Sequence, residues 1–339
     1  MNASGSGIAG IGAAASHGPP SVLRPAGPLA DALADVATVL IGGAVVVFVA
    51  MIILTLAALR ARPRQPGDEA DLRRFTWRWI GSGTAFPVIV LSALLLHATW
   101  QTARFAAAGR QIAADPATLL VTVEARMWWW EVRYRQPGSA REEIVTANEI
   151  RLPADRPIRL ALTATDVIHS FWVPALAGKV DMLPGRFHHL ELDRLPPGTY
   201  RGQCAEYCGE QHARMALQVV VEPADAFERW LASQRLPAQL PSADADPVLQ
   251  RGLAVFRETR CGACHTIRGL TGRSDGGPDL THVGSRRHLG AGTLPNDDDA
   301  LERWLVDIQE IKSGARMPSY RRLPPEDRTA LARFLGALQ

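Results

Sequence analysis

The 339-residue sequence predicts a multidomain membrane protein: a two-helix transmembrane hairpin, an all-β Greek-key domain and a small all-α domain. Three observations carry this prediction. From Val36 to Leu59 and from Ile80 to Trp100 there is no charged residue, and each run reaches the roughly 20 residues a helix needs to cross a hydrocarbon core. Residues 117–222 alternate apolar and polar positions between Pro/Gly turns, the period of short half-buried strands. The last part of the chain returns to helical spacing around the sequence Cys261-Gly-Ala-Cys264-His265.

Taken in order, residues 1–30 are rich in Gly, Ala, Ser and Pro without an apolar period, which reads as a flexible N-terminal segment. They lack the positive n-region of a signal peptide, so either the first span directs insertion or the true start lies elsewhere. Residues 31–105 form the hairpin, with spans at about 36–59 and 80–100. Pro87 offers a kink in the second span, and His97 near its end reads as interfacial. Between the spans lie Arg60, Arg62, Arg64, Arg73, Arg74 and Arg78. By the positive-inside rule the loop 60–79 faces the cytoplasm, which sends both termini outward.

Residues 115–233 hold the strand domain. Val121, Val123 and Ala125, then Ile158, Leu160 and Leu162, then Leu217, Val219 and Val221 mark inward faces. Turns fall at Gln136-Pro137-Gly138, Pro153-Ala154-Asp155, Pro184-Gly185 and Pro196-Pro197-Gly198. About a hundred residues of this kind suggest a sandwich or barrel. A short helix with Phe227, Trp230 and Leu231 on one face closes it. Residues 234–247, rich in Pro, Ala and Asp, read as a flexible linker spanning on the order of 20 Å. In 248–339, Leu253, Val255 and Phe256 mark one helix, Leu301, Trp304, Leu305 and Ile308 a second, and Leu331, Phe334, Leu335 and Leu338 a third.

The net charge of +3 provides no basic field of the kind that binds nucleic acid. Lys179 and Lys312 are the sole lysines among many arginines, a bias read as genomic and chemically uninformative. All four cysteines fall in two motifs, leaving none for a structural disulfide. Three consecutive tryptophans, Trp128 to Trp130, cannot all face one side of a strand. At least one is expected at the surface or in an interface.

The first motif, C-A-E-Y-C-G-E-Q-H-A-R-M over Cys204–Met215, offers two thiolates, an imidazole and a thioether within one loop. This soft to borderline set favours copper, and the thioether of Met215 argues against zinc. A single blue-copper site needs one cysteine. Two thiolates could bridge two coppers if a second imidazole joined them, and His169 is the best upstream candidate. The second motif is the attachment sequence of a c-type haem, with Cys261 and Cys264 forming thioethers and His265 as proximal ligand. Met317 is the one methionine that follows it, and a Met/His pair raises the reduction potential. Gly314-Ala-Arg-Met-Pro-Ser-Tyr resembles the distal segment of class I cytochromes c. Gly277-Pro278-Asp279-Leu280 resembles the segment that flanks the proximal histidine in that class. Gly252 and Phe256 should meet Phe334.

From Val36 to Ser233 the chain resembles cytochrome c oxidase subunit II. The landmarks are Met127-Trp128-Trp129-Trp130, Asp166-Val-Ile-His-Ser-Phe, Asp181-Met-Leu-Pro-Gly-Arg and Gly202-Gln-Cys-Ala-Glu-Tyr-Cys-Gly. The resemblance implies a cupredoxin-like fold holding the dinuclear CuA centre. It implies that Cys204 and Cys208 bridge the coppers, that His169 and His212 each cap one, that Met215 is a weak axial ligand and that Glu206 lends its carbonyl. The Glu206 carboxylate would also reach a magnesium ion shared with subunit I. Trp128 would be the point where electrons enter the copper domain, while Asp166 and Asp181 match positions near partner surfaces. His188 and His189 match no ligand position and read as structural. One family feature is missing: a glutamate near the start of the second span falls here at about Ile80.

The expected function is therefore subunit II of a caa3-type oxidase in a bacterial inner membrane, with both redox domains on the periplasmic side. It would pass electrons from a soluble or membrane cytochrome c donor through haem c and CuA to subunit I, beside subunit III. Oxygen reduction and proton pumping would take place on subunit I, so no catalytic residue is expected on this chain. The same ligand set suits a CuA-type nitric oxide reductase. A membrane-anchored copper-delivery protein is a third reading, against which the fused haem and the His212 and Met215 ligands count. A quinol oxidase subunit is excluded if copper binds.

Overall fold

The computed structural model describes residues 21–61, 67–135, 143–242, 244 and 246–339. The start of the expected flexible segment (1–20), the loop residues Arg62 and Arg64, and the turn Gln136-Pro137-Gly138 lie outside the described residues. The chain divides into two units, one spanning Asp31–Gln111 and one that runs from Ile112 to Gln339 and includes Ala30.

The first unit is built from α1 (Pro28–Arg60) and α2 (Glu69–Ala114). Both are long and apolar enough to cross a membrane, and their apolar stretches are exposed. Asp31 stands in the first turn of α1 and Arg60 in its last, while Glu69 and Asp71 open α2. Each charge opposes the helix dipole at its own end. Pro87 lies inside α2, which continues to Ala114, well past the uncharged run.

The second unit begins with a two-sheet sandwich. One sheet has the order β3 (Glu143–Ala147), β2 (Trp129–Arg135), β1 (Leu119–Arg126), β5 (Ile158–Ala164), β8 (His188–Leu192). The other has β4 (Glu149–Pro153), β10 (Ala216–Glu222), β9 (Gly198–Cys204), β6 (His169–Trp172), β7 (Val180–Met182). β1 runs antiparallel to β2 but parallel to β5, and β10 antiparallel to β9 but parallel to β4. Such pairs need crossovers, so the sandwich is cupredoxin-like rather than a simple meander. Val121, Val123 and Ala125 are fully buried between half-buried neighbours, the alternation that the sequence predicts.

The three tryptophans divide as period 2 requires. Trp130 is fully buried, edge-on to Phe171 at 6.0 Å. Trp129 lies on the other face under the Arg126 guanidinium, and Trp128 is half-buried against the core margin. α3 (Ala224–Arg235) closes one end with Phe227 and Leu231, and its Trp230 meets Tyr134 at 5.2 Å.

The segment after α3 differs from the flexible spacer the sequence suggests. Arg268 donates to the carbonyls of Gln234 and Arg235, Ala238 N donates to Arg268 O at 3.0 Å, and His282 Nε2 lies 3.1 Å from Leu236 O. Ala238 is itself part of the next core. Proline and alanine here supply an extended backbone whose polar groups pair with the following domain instead of with water.

That domain holds α4 (Pro247–Glu258), α5 (Asp298–Ile311) and α6 (Pro325–Gly336). Asp246 caps α4 through Val248 N at 2.9 Å, with Pro247 at its first position, and Asp297 caps α5 through Ala300 N at 2.7 Å. α4 crosses α6 at Gly252, where a Cβ would stand 2.1 Å from Ala330 O. Beside this crossing Phe256 and Phe334 meet at 5.9 Å.

Candidate metal and haem sites

The copper motif occupies the loop between β9 and β10. Its two ends are tied by Cys204 N donating to Met215 O at 2.9 Å, and its second residue by Ala205 N donating to Ser170 O at 2.9 Å on β6. His169 stands at the start of β6, whose Phe171 pairs in register with Cys204. Sheet pairing thus brings a histidine thirty-five positions upstream beside the first thiol.

The donor atoms converge. Cys204 Sγ lies 3.7 Å from Cys208 Sγ, 3.7 Å from His169 Nδ1 and 3.2 Å from Glu206 O. Cys208 Sγ lies 3.7 Å from His212 Nδ1 and 3.9 Å from Met215 Sδ. Each sulfur therefore has one imidazole beside it, and Cys204, Cys208, His169 and Met215 are all buried. The chemistry of this set suits two soft cations better than one: two thiolates are shared at the centre and separate imidazoles stand outside. All six sequence candidates for the metal come together here.

Asp166, matched by resemblance to a position near a partner surface, lies within the site. Its Oδ1 is 2.8 Å from His169 Nε2, while Oδ2 accepts from Met127 N at 2.7 Å. Burial works to raise its pKa, but the bonds from His169, Met127 and Val167 outweigh that and hold the carboxyl below its usual range. Burial likewise opposes charge on His169, yet Asp166 and Cys204 lift it to about 9. Asp166 holds Nε2 and leaves Nδ1 turned to the sulfurs. Of the two thiols, Cys204 is the one pulled well below the usual thiol range, chiefly by its contact with Cys208, with burial opposing. Cys208 is pushed up by the same contact.

The carboxylate of Glu206 turns outward, 3.7 Å from Lys179 Nζ, which also reaches Asp181 at 3.3 Å. The other lysine, Lys312, is buried where the haem-motif domain meets the copper loop. Both lysines thus have specific partners beside the copper site, which corrects their reading as compositional noise. Their rarity was the available signal.

In the last domain Cys261 opens a short 3-10 turn after α4, and Cys264 is exposed. His265 Nδ1 is 2.8 Å from Pro278 O, so Nε2 is the ring atom turned to a ligand. Burial pushes this imidazole's pKa down, with the Pro278 carbonyl opposing, and a neutral ring is the form that ligates iron. A Cβ on Gly277 would stand 2.6 Å from the ring, so glycine leaves the imidazole its place. Met317 packs on the same core as Cys261. These residues fit a covalently held haem.

Trp128 lies between the two sites. Its Nε1 donates to Cys208 O at 2.8 Å, and its ring lies against both Gly209 and Gly314. The tryptophan expected at an interface is this one.

Comparison with known proteins agrees with the geometry. Residues 121–223 match the family described as cytochrome C oxidase subunit II, periplasmic domain, and residues 249–339 match the cytochrome c family. Cytochrome c oxidase subunit 2 of Alkalihalophilus pseudofirmus (strain OF4) is 31% identical over 94% of this chain and 91% of its own. The chain belongs to the cytochrome c oxidase subunit II family. The subunit 2 proteins of Bacillus sp. (strain PS3) and Bacillus subtilis (strain 168) are 32% and 29% identical, covering 76% and 94% of the chain and 73% and 92% of their own lengths. With its C-terminal cytochrome c domain it is a subunit II of the caa3 type, a component of an oxidoreductase whose family implies copper in the sandwich, haem in the last domain and a subunit I partner.

Proposed function

We propose that this chain is the subunit through which electrons enter a respiratory terminal oxidase, passing from a cytochrome c donor through haem c and CuA to subunit I. There oxygen is reduced to water with proton pumping. The observation that carries the reading is the pairing of one imidazole with each of two thiols 3.7 Å apart. In this reading Cys204, Cys208, His169, His212, Met215 and the Glu206 carbonyl would hold the two coppers. Cys261, Cys264, His265 and Met317 hold the haem. The copper pair would supply a one-electron acceptor, and a haem held by His265 and Met317 would carry a raised reduction potential.

The chain's own residues do the rest. Asp166 fixes the His169 ring. The buried sulfurs exclude water from the pocket. Trp128 joins the copper loop to the surface met by the haem domain. Magnesium shared with subunit I through Glu206 is part of the proposal; it would take the place at the carboxylate now filled by Lys179 Nζ. We place the chain in the bacterial inner membrane with segment 60–79, whose residues from Glu69 onward are the first turns of α2 and not a loop, on the cytoplasmic side and both redox domains outside, because Arg60, Arg73, Arg74 and Arg78 fall between the two uncharged runs. The domain limits of 31–105, 115–233 and 248–339 belong to the same proposal.

Metal and haem analysis of the purified complex, with paramagnetic resonance, tests it. The expected result is two coppers and one covalent haem per chain, with the copper signal of an electron shared over two nuclei. One copper, or a single-copper signal, would refute it. Oxygen consumption by the complex, in preference to nitric oxide, identifies the terminal acceptor.

A further inference from the structure

The haem-motif domain meets the copper loop around a buried lysine. Lys312, at the end of α5, is 4% exposed. Lysine is almost never buried this far without an acidic partner, and among the described residues no carboxylate pairs with it. Its ammonium donates to three carbonyls instead: Trp128 O at 2.6 Å, Arg214 O at 2.9 Å and Gly290 O at 3.0 Å. An ammonium has three donors, so all are used. Two acceptors belong to the copper domain and one to the haem-motif domain.

Contacts on either side of Lys312 continue the tie. Arg214 donates to Ile311 O, and Ser313 Oγ accepts from Gln211 Nε2 at 2.9 Å and donates to Glu210. Gly314, with φ +74, lies against the Trp128 ring, where a Cβ would stand 3.5 Å from the nearest ring atom. The segment so held leads directly to Met317, and the loop it grips runs from Cys208 to Met215. Trp128 Nε1 bonds to the carbonyl of Cys208 itself.

We propose that Lys312 is a positioning residue that holds the Met317 segment docked on Trp128 and the copper loop, so that electrons cross without a diffusive encounter of two tethered modules. This rests on the function proposed above. In the step, ferrous haem c gives one electron and becomes ferric, and the oxidised copper pair gains it. No bond or proton changes place. The docked segment covers the Trp128 face toward Gly314, so a soluble donor reaches copper by way of haem c.

The test uses the intact oxidase complex. Haem c is reduced by a photoactivated ruthenium complex, and electron arrival at copper is followed in buffers of increasing glycerol content. In the unmodified complex the rate should be independent of viscosity; a rate falling in proportion to viscosity overturns the proposal without any variant. Lys312→Met keeps the stem but takes the ammonium donor from the carbonyls of Trp128 and Arg214, while that of Gly290 keeps the Thr293 hydroxyl. It should slow the step by about ten-fold or more and make it viscosity-dependent, with haem and copper spectra unchanged. Lys312→Arg, which restores donors and charge, should recover much of the rate.

Hydrogen exchange provides a readout apart from activity. Amides in 311–316 and 208–215 should exchange about ten-fold or more faster in Lys312→Met, while those of β1 and β5 should not. Unchanged rate and exchange with intact spectra would overturn the role. Should Lys312→Met lose its spectra, the viscosity result on the unmodified complex decides. Absence of haem or copper from the unmodified complex would instead refute the function proposed above, and the exchange measurement would still judge the tie.

Discussion

The copper site and the haem site lie in one folded unit, yet they are constructed in opposite ways. In the sandwich, Trp130, Tyr134, Phe171 and Tyr200 fill a core that the two sheets close by themselves. His169 and Cys204 stand at the ends of paired strands and the other copper donors in the loop those strands hold, already 3.2–3.9 Å from the two sulfurs. In the last domain the core is smaller, and Cys264, His265 and Met317 sit on segments with little regular structure. Glycines at 252 and 277 keep backbone and ring close where side chains would collide. One site is shaped by the protein before any metal is added. The other, on the proposed function, would take its haem as part of the core.

The sharpest way to break this comparison is to remove each group in turn. Replacing Cys261 and Cys264 together by serine should prevent haem attachment and lower the thermal midpoint of the last domain by about 20 °C or more. Cys204→Ser should abolish the copper signal while the sandwich's own unfolding midpoint falls by no more than about 5 °C. Differential scanning calorimetry with circular dichroism checks both. Equal losses in the two domains would contradict the contrast.

A smaller effect concerns the preformed pocket. Asp166→Asn keeps a hydrogen bond to His169 Nε2 but removes its charge, and should weaken copper binding by about 10- to 100-fold. Competition with a chelator measures this. An unchanged affinity would mean that strand pairing alone orients His169.

The smallest effect separates the two cores by their glycines. A Cβ at Gly252 meets the backbone oxygen of Ala330 at 2.1 Å, whereas one at Gly202 meets only side-chain atoms of Leu217 and Val173 at 2.9 Å. Gly252→Ala should cost about 1–3 kcal/mol despite the better helix propensity of alanine. Gly202→Ala should cost less, about 1 kcal/mol, because methyl groups can turn away where a helix backbone cannot. Denaturant melts of the two variants compare them.

Much of the fold was legible because it is written at short range. Alternation predicts β1, β5 and β10, three- and four-residue spacing predicts α3 to α6, and both appear where expected. The Cys204–Met215 loop and the Cys261–His265 turn are likewise local. The seating of residues 234–238 on Arg268 and His282 was not legible, since a Pro/Ala-rich stretch has the composition of a spacer whether or not a neighbouring surface accepts its backbone. Nor was the continuation of α2 to Ala114, because Arg104 and Arg110 end the apolar run without ending helix propensity.

The sequence by itself determined which ligand atoms exist, how many membrane-length helices precede them, and which period each segment follows. These are properties of neighbours along the chain. Only the tertiary structure decided that Asp166 turns to His169, that Trp128 is the tryptophan at the interface, and that Lys312 joins carbonyls from positions 128, 214 and 290. Such contacts join residues far apart in sequence. They form only when sheet register and domain docking bring the backbone polar groups within hydrogen-bond reach, and no local pattern encodes that distance.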